Sequence, residues 1–187
     1  MSRKYHYGGQ ESDIDTQLSL ADPQDVRSRE NVVFATETQE HETFDYCASD
    51  IAGNTVLELR NDDDKLLLLI HDGHGIAVAP HGDVEEGEDW AAAARREIEA
   101  VTGISIALDN IEAVTEVNHV VSEDGKPHRT TERIIFSGHP VDGEIQDCKQ
   151  SAQAGSDDWR AAWVDGLPED IEVPPGGPGN DLQLILD

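Results

Sequence analysis

Residues 79–104, APHGDVEEGEDWAAAARREIEAVTGI, decide the fold of this chain. The second half of the stretch, residues 89–102, contains neither Gly nor Pro and includes four consecutive alanines. Its apolar residues recur at the spacing of one helical face: Trp90, Ala94, Ile98 and Val101. Gly103 follows, at a position where a left-handed residue commonly ends a helix. The pattern therefore predicts a helix over 89–102.

The first half of the stretch is an acidic, glycine-bearing turn that leads from a predicted strand, 76–79, into this helix. Such a turn brings backbone N–H groups and carboxylates to one place. Helix N-termini attract anions, and Mg²⁺ takes carboxylates, waters and substrate phosphates as ligands. The turn is therefore a candidate site for a hydrated divalent ion that holds a diphosphate. The alternative is an ordinary capped helix with exposed acids.

The spacing within 82–104 resembles the signature of the Nudix hydrolase family. That signature is Gly, five residues, Glu, seven residues, Arg-Glu, an aliphatic residue, any residue, Glu-Glu, any residue, Gly and an aliphatic residue. The positions in register with it are Gly82, Glu88, Arg96, Glu97, Ile98, Gly103 and Ile104. Residues 79–82 are also similar to the family's Leu-Pro-Gly-Gly approach. The resemblance extends over about residues 50–170 and leaves the N-terminal part unexplained.

The resemblance implies a fold, an activity and roles for the matching residues. The fold would be of the α/β class, a Nudix α/β/α sandwich with a mixed, mainly antiparallel sheet. The activity would be attack of water on a nucleoside diphosphate linked to another moiety, assisted by Mg²⁺ or Mn²⁺. Glu97 would be the catalytic base or a metal ligand, and Gly82 would offer its carbonyl to the metal. The other matches would be structural, an ion pair that holds the turn and residues that cap and pack the helix: Glu88, Arg96, Ile98, Gly103 and Ile104.

The sequence departs from the family where the signature has its paired glutamates. Ala100 and Val101 stand there, three and four residues after Glu97 and hence on the same helical face. In the family, that face gathers carboxylates around the metal. Glu99 does not replace them, because two positions along a helix rotate a side chain by about 200°. A single carboxylate with water would hold Mg²⁺ loosely.

Hypotheses of different classes follow from this departure. The first is a divergent Nudix hydrolase with weak turnover, because each loss of about 1.4 kcal/mol in transition-state stabilisation slows a reaction tenfold. The second is a catalytically inactive Nudix-fold module that senses a nucleotide or binds a protein. The third is an interaction domain whose partner docks on the N-terminal segment. For the first two, the expected small-molecule partner is of the nucleotide type.

Other acids are candidates to replace the missing metal ligands. Some lie on the turn itself, and the rest lie later in the chain, where the family often supplies a further acid: Asp83, Glu85, Glu86, Glu116, Glu132, Asp157 and Asp158. In a chain with 40 acidic residues, the simpler interpretation of each is a solvated surface carboxylate. The sequence does not choose among them.

Three histidines and two tryptophans carry weaker hypotheses. His71, His74 and His81 lie in or beside glycine-rich turns, and their loose spacing favours turn chemistry over metal binding. Trp159 and Trp163 are similar in position to the family's closing strand. They are predicted to pack in the core, with stacking on an adenine ring as the alternative.

Arg129 and Arg133, together with His128, form a compact basic group outside the predicted helix. Guanidinium groups bind phosphate through paired hydrogen bonds. The two arginines are therefore candidates to bind a substrate phosphate from a predicted strand. The alternative interpretation is a plain solvated strand face.

Outside the signature, short apolar runs separated by polar turns predict strands. The predicted strands are 33–35, 43–47, 55–59, 66–70, 76–79, 104–108, 111–121, 129–136 and 160–164. Residues 55–80 are expected to form a meander, and 111–121 a hairpin with 129–136. Residues 138–157 are expected to be a loop. Asp22 and Pro23 predict the cap and first position of a short helix.

The chain is expected to form one domain with flanking segments, since its length is that of a single domain. The predicted units are an N-terminal extension, partly disordered, over 1–31, a Nudix-like domain over 32–172, and a C-terminal tail over 173–187. The tail includes the run PPGGPG at 174–179, which is typical of irregular structure.

The composition is strongly acidic, with 13 Lys plus Arg against 40 Asp plus Glu and a formal charge of −27. Such a charge repels phosphate backbones and anionic lipid, so neither nucleic acid nor a membrane is an expected partner. It is typical of proteins from halophilic organisms, with an ordinary acidic protein as the alternative. Cys47 and Cys148 are expected to be reduced thiols, and the polar N-terminus predicts a cytoplasmic location.

Overall fold

The computed structural model of the chain describes residues 18–44, 50–121, 125–145 and 159–187. Strands and helices are numbered here in chain order. Their bounds are Val33–His41 (β1), Ile51–Leu59 (β2), Leu66–His71 (β3), Ile76–Val78 (β4), His81–Glu85 (β5), Trp90–Thr102 (α1), Ser105–Val121 (β6), Pro127–Asp142 (β7), Trp159–Val164 (β8) and Gly177–Leu186 (α2). A short 3₁₀ helix, Pro23–Val26, precedes β1. In this described part, no helix is both long and apolar enough to cross a membrane.

Two sheets form the centre of the fold. The larger has the strand order β1-β6-β7-β2-β5, and the smaller has the order β4-β3-β8. In the larger sheet, β1 is parallel to β6 and β2 is parallel to β7, while β6 with β7 and β2 with β5 are antiparallel. The smaller sheet is antiparallel. The sheets are therefore mixed and mainly antiparallel, which confirms the predicted fold class.

Alternate residues of the larger sheet point into two separate cores. Leu57 and Ile134 belong to the core beneath α1, whereas their chain neighbours Val56 and Ile135 belong to the core on the other face. This alternation is the period of two that strands impose. The second core also receives the buried side of α2. The two helices therefore lie on opposite faces of the larger sheet.

Helix α1 lies where the sequence predicts it. Asp89 caps its first turn, accepting a hydrogen bond of 2.9 Å from the backbone N–H of Ala92. Gly103 ends the helix in the left-handed conformation, with φ of 77°, which glycine adopts without a steric penalty. Trp90 and Ile98 are buried in the core between α1 and the sheet. The predicted helix and its C-terminal signal at Gly103 are confirmed.

The described part of the N-terminal segment packs onto the same face. Asp22 accepts a hydrogen bond of 2.9 Å from Gln24 N–H, which confirms the predicted cap of the short helix. Leu20 and Val26 are buried in the core beneath α1. The Asp89 side chain also accepts a hydrogen bond of 2.8 Å from the backbone N–H of Leu20. These contacts join the segment to the start of α1.

The meander predicted over 55–80 is wrong. β2 lies in the larger sheet between β7 and β5, whereas β3 and β4 form a hairpin in the smaller sheet. Residues 81–85, expected as an acidic turn, form strand β5 and pair with β2. Glycine and acids are poor strand formers, but pairing along a sheet edge outweighs that weak preference.

The long hairpin is confirmed, and it is longer than predicted. Two strands were expected over 104–108 and 111–121, but Ser105–Val121 form the single strand β6, whose pairing with β7 shifts register near Leu108 and Ile111. Such shifts let a strand continue past a local irregularity. Residues 138–142, expected as loop, are the end of β7.

The C-terminal segment, expected as a tail, contains helix α2. Its first turn includes Pro178. Proline is tolerated at a helix start because the first N–H groups have no partner within the helix. Leu182 and Ile185 are buried in the second core. The strand predicted over 43–47 falls mostly outside the described residues, as do both cysteines.

Candidate functional site

Strand β5 brings the backbone of Gly82 against Glu97 of α1. A Cβ atom on Gly82 would lie 2.3 Å from Cβ of Glu97, 2.2 Å from its Cγ and 2.9 Å from its Oε2. Only glycine permits so close an approach. The Gly82 carbonyl accepts a long hydrogen bond of 3.4 Å from the Thr55 hydroxyl. The contact places a carboxylate oxygen of Glu97 beside the backbone of β5.

Arg96 connects the turn to the helix. Its Nε and Nη2 donate to the two carboxylate oxygens of Glu88 at 3.1 and 2.9 Å. Nη2 also donates to the Asp83 carbonyl at 3.4 Å, and Glu88 accepts from the Glu85 N–H at 3.2 Å. Nη1 of Arg96 lies 2.8 Å from Oε1 of Glu97. One guanidinium therefore fixes the positions of two carboxylates.

Glu97 lies in an acidic and partly buried environment. Burial raises the pKa of Glu97, and the neighbouring charges of Asp83, Glu88 and Glu85 raise it further. Arg96 opposes this shift because its positive charge favours the ionised carboxylate. A cation beside Glu97 would likewise be favoured by these carboxylates. The negative charges around Glu97 therefore favour a positive ion beside its carboxylate.

A cavity of about 270 Å³ opens on the face of the larger sheet opposite α1. Its polar lining includes Gln39, Asn54, His81, Asp83, Thr131 and Arg133. His81 and Asp83 flank Gly82 in β5. Because successive residues of a strand point to opposite faces, β5 contacts Glu97 on one side and borders the cavity on the other.

Arg133 lines this cavity as a buried cation with two carboxylate partners. Its Nη2 donates to Glu37 of β1 at 2.9 Å, and its Nη1 donates to the two oxygens of Asp181 of α2 at 3.4 and 3.2 Å. Burial raises the pKa of Asp181 to about 6, although Arg133 opposes the shift. Arg129 donates to the carbonyl of Ile51. Both arginines of the predicted basic group thus have acceptors within the chain.

His119, which sequence reasoning missed, lies buried at one end of the cavity. Its Nδ1 is 2.8 Å from Nε2 of His41, and its Nε2 is 2.8 Å from the Thr131 hydroxyl. Burial, assisted by His41, lowers the pKa of His119 to about 4. The ring of His128 packs edge-on against Phe44, with ring centres 5.2 Å apart. The pairing of β1 with β6, which creates this group, leaves no local signal in the sequence.

The other histidines and the tryptophans lie in separate places. Nδ1 of His71 accepts a hydrogen bond of 3.1 Å from the His74 backbone, as expected of turn chemistry. Trp159 packs edge-on against His71, with ring centres 5.0 Å apart. His81 contacts the Ala79 carbonyl at 3.0 Å instead. Trp163 packs against the core beneath α1.

Comparison with known proteins assigns the family. The profile of the NUDIX domain matches residues 52–178. The chain belongs to this family. No curated protein sequence matches the chain.

Solved structures of Nudix proteins resemble the chain over most of its domain. A NUDIX hydrolase from Nitrosomonas europaea is 25% identical over 61% of this chain and 72% of that chain, with a TM-score of 0.43. A UDP-X diphosphatase is 18% identical over 74% of this chain and 62% of that chain, with a TM-score of 0.47. An ADP-ribose pyrophosphatase from Streptococcus suis is 14% identical over 71% and 87%, with a TM-score of 0.43.

Helix α1 carries one carboxylate, that of Glu97, on the face where the family signature has three. Ala100 is exposed and Val101 partly exposed on the face that Glu97 shares. Within residues 18–44, 50–121, 125–145 and 159–187, no three His, Cys, Asp or Glu side chains lie close enough to hold a metal ion together. Mg²⁺ is often held by one or two carboxylates with waters and substrate phosphates. The donors therefore fit a hydrated ion at Glu97 and do not fit a multi-carboxylate cage.

Among the candidate acids at 83–86, Asp83 interacts most strongly with Glu97. Asn54 donates a hydrogen bond of 2.6 Å to its side chain, and its charge is the largest acidic contribution to the raised pKa of Glu97. Glu85 and Glu86 are exposed. Replacement of the lost ligands by any of these acids stays a prediction.

The later acids have other partners. Glu116 pairs with Arg27 at 3.2 Å, and Glu132 accepts a hydrogen bond of 2.7 Å from Gln24. Burial raises the pKa of Glu132. Both acids thus hold the N-terminal segment against the sheet. Two further candidates lie outside the described residues: Asp157 and Asp158.

Proposed function

We propose that this chain is a divergent Nudix-type hydrolase that cleaves a nucleoside diphosphate linked to another moiety, with weak turnover. One observation carries the proposal: Gly82 packs against Glu97, while the residues on either side of Gly82 border the cavity. A ligand seated in the cavity would therefore reach the edge of the sheet where this carboxylate lies. Membership of the NUDIX domain family supports the reaction class.

The residues around Glu97 suggest how the site would work. Glu97, beside the Gly82 backbone, would hold Mg²⁺ or Mn²⁺, which when bound would polarise the diphosphate oxygens. Arg96 binds Oε1 of Glu97, so Oε2 stays directed toward Gly82. Glu88 in turn holds Arg96 through paired hydrogen bonds. Because Ala100 and Val101 stand where the signature has two metal-binding carboxylates, the ion would be held less firmly. Each loss of about 1.4 kcal/mol in transition-state stabilisation slows the reaction tenfold.

Substitution of Glu97 tests the proposal. Products would be separated chromatographically after incubation with nucleotide sugars, ADP-ribose and nucleoside triphosphates, in concentrated KCl with Mn²⁺ or Mg²⁺. We expect Glu97→Gln to reduce any turnover at least about a hundredfold, as loss of a positioned catalytic group does. The matched control is Glu99→Gln, because Glu99 is exposed on the same helix and points away. Equal rates in the two variants would contradict the proposal.

A second candidate function is a Nudix-fold module that binds a nucleotide without cleaving it. The hydrocarbon side chains of Ala100 and Val101 favour it, because they stand where the signature has carboxylates. The double variant Ala100→Glu, Val101→Glu would raise the affinity for Mn²⁺, measured by the electron spin resonance of the free ion. Hydrolysis gained only by this variant, with nucleotide binding already present in the unaltered chain, would favour the second function over the first.

A further inference from the structure

The guanidinium of Arg133 lies in the cavity wall. Two carboxylates of the same chain already pair with it. The residue is 8% exposed. Glu37 binds one edge of the guanidinium at 2.9 Å, and Asp181 binds the other at 3.2 Å. Two carboxylates thus accept hydrogen bonds from both terminal nitrogens, which would otherwise pair with a phosphate.

Helix α2 holds one of these carboxylates rigidly in place. Asp181 is 7% exposed, and its chain neighbour Leu182 is fully buried in the second core. Gly177, in the first turn of α2, lies so close to the guanidinium that an added Cβ would be 2.4 Å from Nη1 of Arg133. The helix therefore covers Arg133 as well as neutralising it.

Three carboxylates lie at or beside the cavity. Asp83 and Asp181 line it, and Glu37 contacts Arg133 from β1. The positive contributions are Arg133, the first turn of α2, whose dipole amounts to about half a charge, and Arg129, whose charge reaches the lining residue His119. An entering phosphate would meet these carboxylates, two of which already accept from Nη1 and Nη2 of Arg133. The remaining polar lining consists of amides, a hydroxyl and imidazoles: Gln39, Asn54, Thr131, His81 and His119.

The volume of the cavity suits a part of a nucleotide-linked substrate. At about 270 Å³ it lies near the lower end of the roughly 300–1,000 Å³ of sites that enclose drug-sized ligands. That volume suits one ring system. Carboxylate and amide oxygens on the wall would accept hydrogen bonds from N–H groups of such a ring.

We propose that Glu37 and Asp181 are built-in anions that keep Arg133 from binding phosphate, so that the cavity takes an uncharged, N–H-bearing ring of the ligand and leaves its phosphates outside. The nucleotide character of the ligand rests on the proposed function. The charge selectivity rests on the contacts of Arg133 alone. Arg133 then acts as a structural cation, contrary to the phosphate-binding role predicted for it from the sequence.

Binding of two simple probes tests this proposal. Inorganic pyrophosphate and a set of neutral nucleosides would be titrated calorimetrically into the full chain at pH 7.5, with EDTA present. The KCl concentration would be the lowest at which circular dichroism reports the folded state, since salt screens charge. We expect at least one nucleoside to bind, and pyrophosphate to bind at least tenfold more weakly.

Substitution of either carboxylate would expose Arg133 to an anion. Asp181→Asn and Glu37→Gln are each expected to raise the affinity for pyrophosphate at least tenfold. Two variants are used because Asp181 is buried whereas Glu37 is only partly so; if the first fails to fold, the second decides. The matched controls are Asp187→Asn at the C-cap of α2 and Glu40→Gln on β1, both exposed, and neither should change the affinity.

Several outcomes would overturn the proposal. Tight pyrophosphate binding by the unaltered chain that Arg133→Gln abolishes would show that the guanidinium is available. An unchanged affinity in folded Glu37→Gln would show that the carboxylates do not block it. If no nucleoside binds, the stated ligand class is wrong. None of these measurements depends on turnover, so loss of the proposed hydrolase function would leave this selectivity intact, and the reverse also holds.

Discussion

The two faces of the larger sheet differ in how their ion pairs are exposed. On the α1 face, the side chains of Arg96 and Glu88 are 49% and 25% exposed, whereas on the cavity face those of Arg133 and Asp181 are 10% and 9% exposed. Exposed pairs contribute little to stability, but removing one partner of a buried pair leaves an uncompensated charge. The pair that belongs to the recognisable motif is therefore the weaker one. The pair whose disruption should destabilise the fold more, Arg133 with Asp181, lies outside the family signature.

The largest expected effect is the loss of the buried cation. Arg133→Gln would leave Glu37 and Asp181 without their shared partner, and we expect it to lower the free energy of unfolding by about 3–5 kcal/mol at pH 7.5. Urea denaturation at constant KCl would measure the change. The matched control is Arg160→Gln, which breaks an exposed pair with Asp72 and should have little effect. Similar losses in both variants would remove the contrast between buried and exposed pairs.

The pH dependence of stability isolates Asp181. Because burial raises its folded-state pKa to about 6 from 3.8, its stabilising proton is fully bound below about pH 4 and is lost as the pH rises through 6. The unaltered chain should therefore lose on the order of 3 kcal/mol between pH 4 and 7.5 relative to Asp181→Asn. Urea midpoints at four pH values would measure this difference. A constant difference would mean that Asp181 titrates normally.

On the α1 face the strongest constraint is steric and not electrostatic. Gly82→Ala would place a methyl group 2.3 Å from Cβ of Glu97, and overpacking of this kind costs about 1–3 kcal/mol. Gly166→Ala is the control, since nothing lies within 4 Å of the added atom. Thermal unfolding of both variants would compare them. If Gly82→Ala is as stable as the control, the contact between β5 and α1 is looser than described.

The smallest expected effect belongs to the motif pair itself. Glu88→Gln removes the charge that Arg96 binds but keeps the shape of the side chain. Because the guanidinium is half exposed, we expect a loss of at most about 1 kcal/mol in the free energy of unfolding. A double-mutant cycle with Arg96→Gln would measure the coupling. A coupling larger than that found for Arg133 with Asp181 would invert the comparison between the two faces.

The sequence predicted the parts of the fold that local rules determine. The cap at Asp22, the left-handed Gly103 and the hairpin of β6 with β7 follow from residues close together in the chain. The placement of β2 and β3 in different sheets did not follow, because polar turns separate strands without specifying their partners. Helix α2 was missed because its glycine- and proline-rich start is typical of irregular structure.

The sequence pointed to single residues on both faces of the sheet, but to a connected group of residues only on the α1 face. The resemblance to the family pointed to Glu97, Gly82 and the pair of Glu88 with Arg96, all within one turn and one helix. Their roles in metal binding and catalysis stay predictions. The ion pairs of Arg133 in the cavity wall depend on Glu37 and Asp181, which are 96 and 48 residues away in the chain. Contacts so distant in sequence leave no pattern of spacing, and with acids throughout the chain neither residue stands out.

The docking of the N-terminal segment and of α2 has a consequence for dissecting the protein. The family-matched stretch ends at residue 178 and begins at 52, yet Leu20 and Val26 fill one core and Leu182 fills the other. A fragment cut at the matched limits would lose buried side chains from both hydrophobic cores, together with the edge strand β1. Such a fragment is therefore expected to be less stable than the full chain, although it contains the whole stretch that the family match covers.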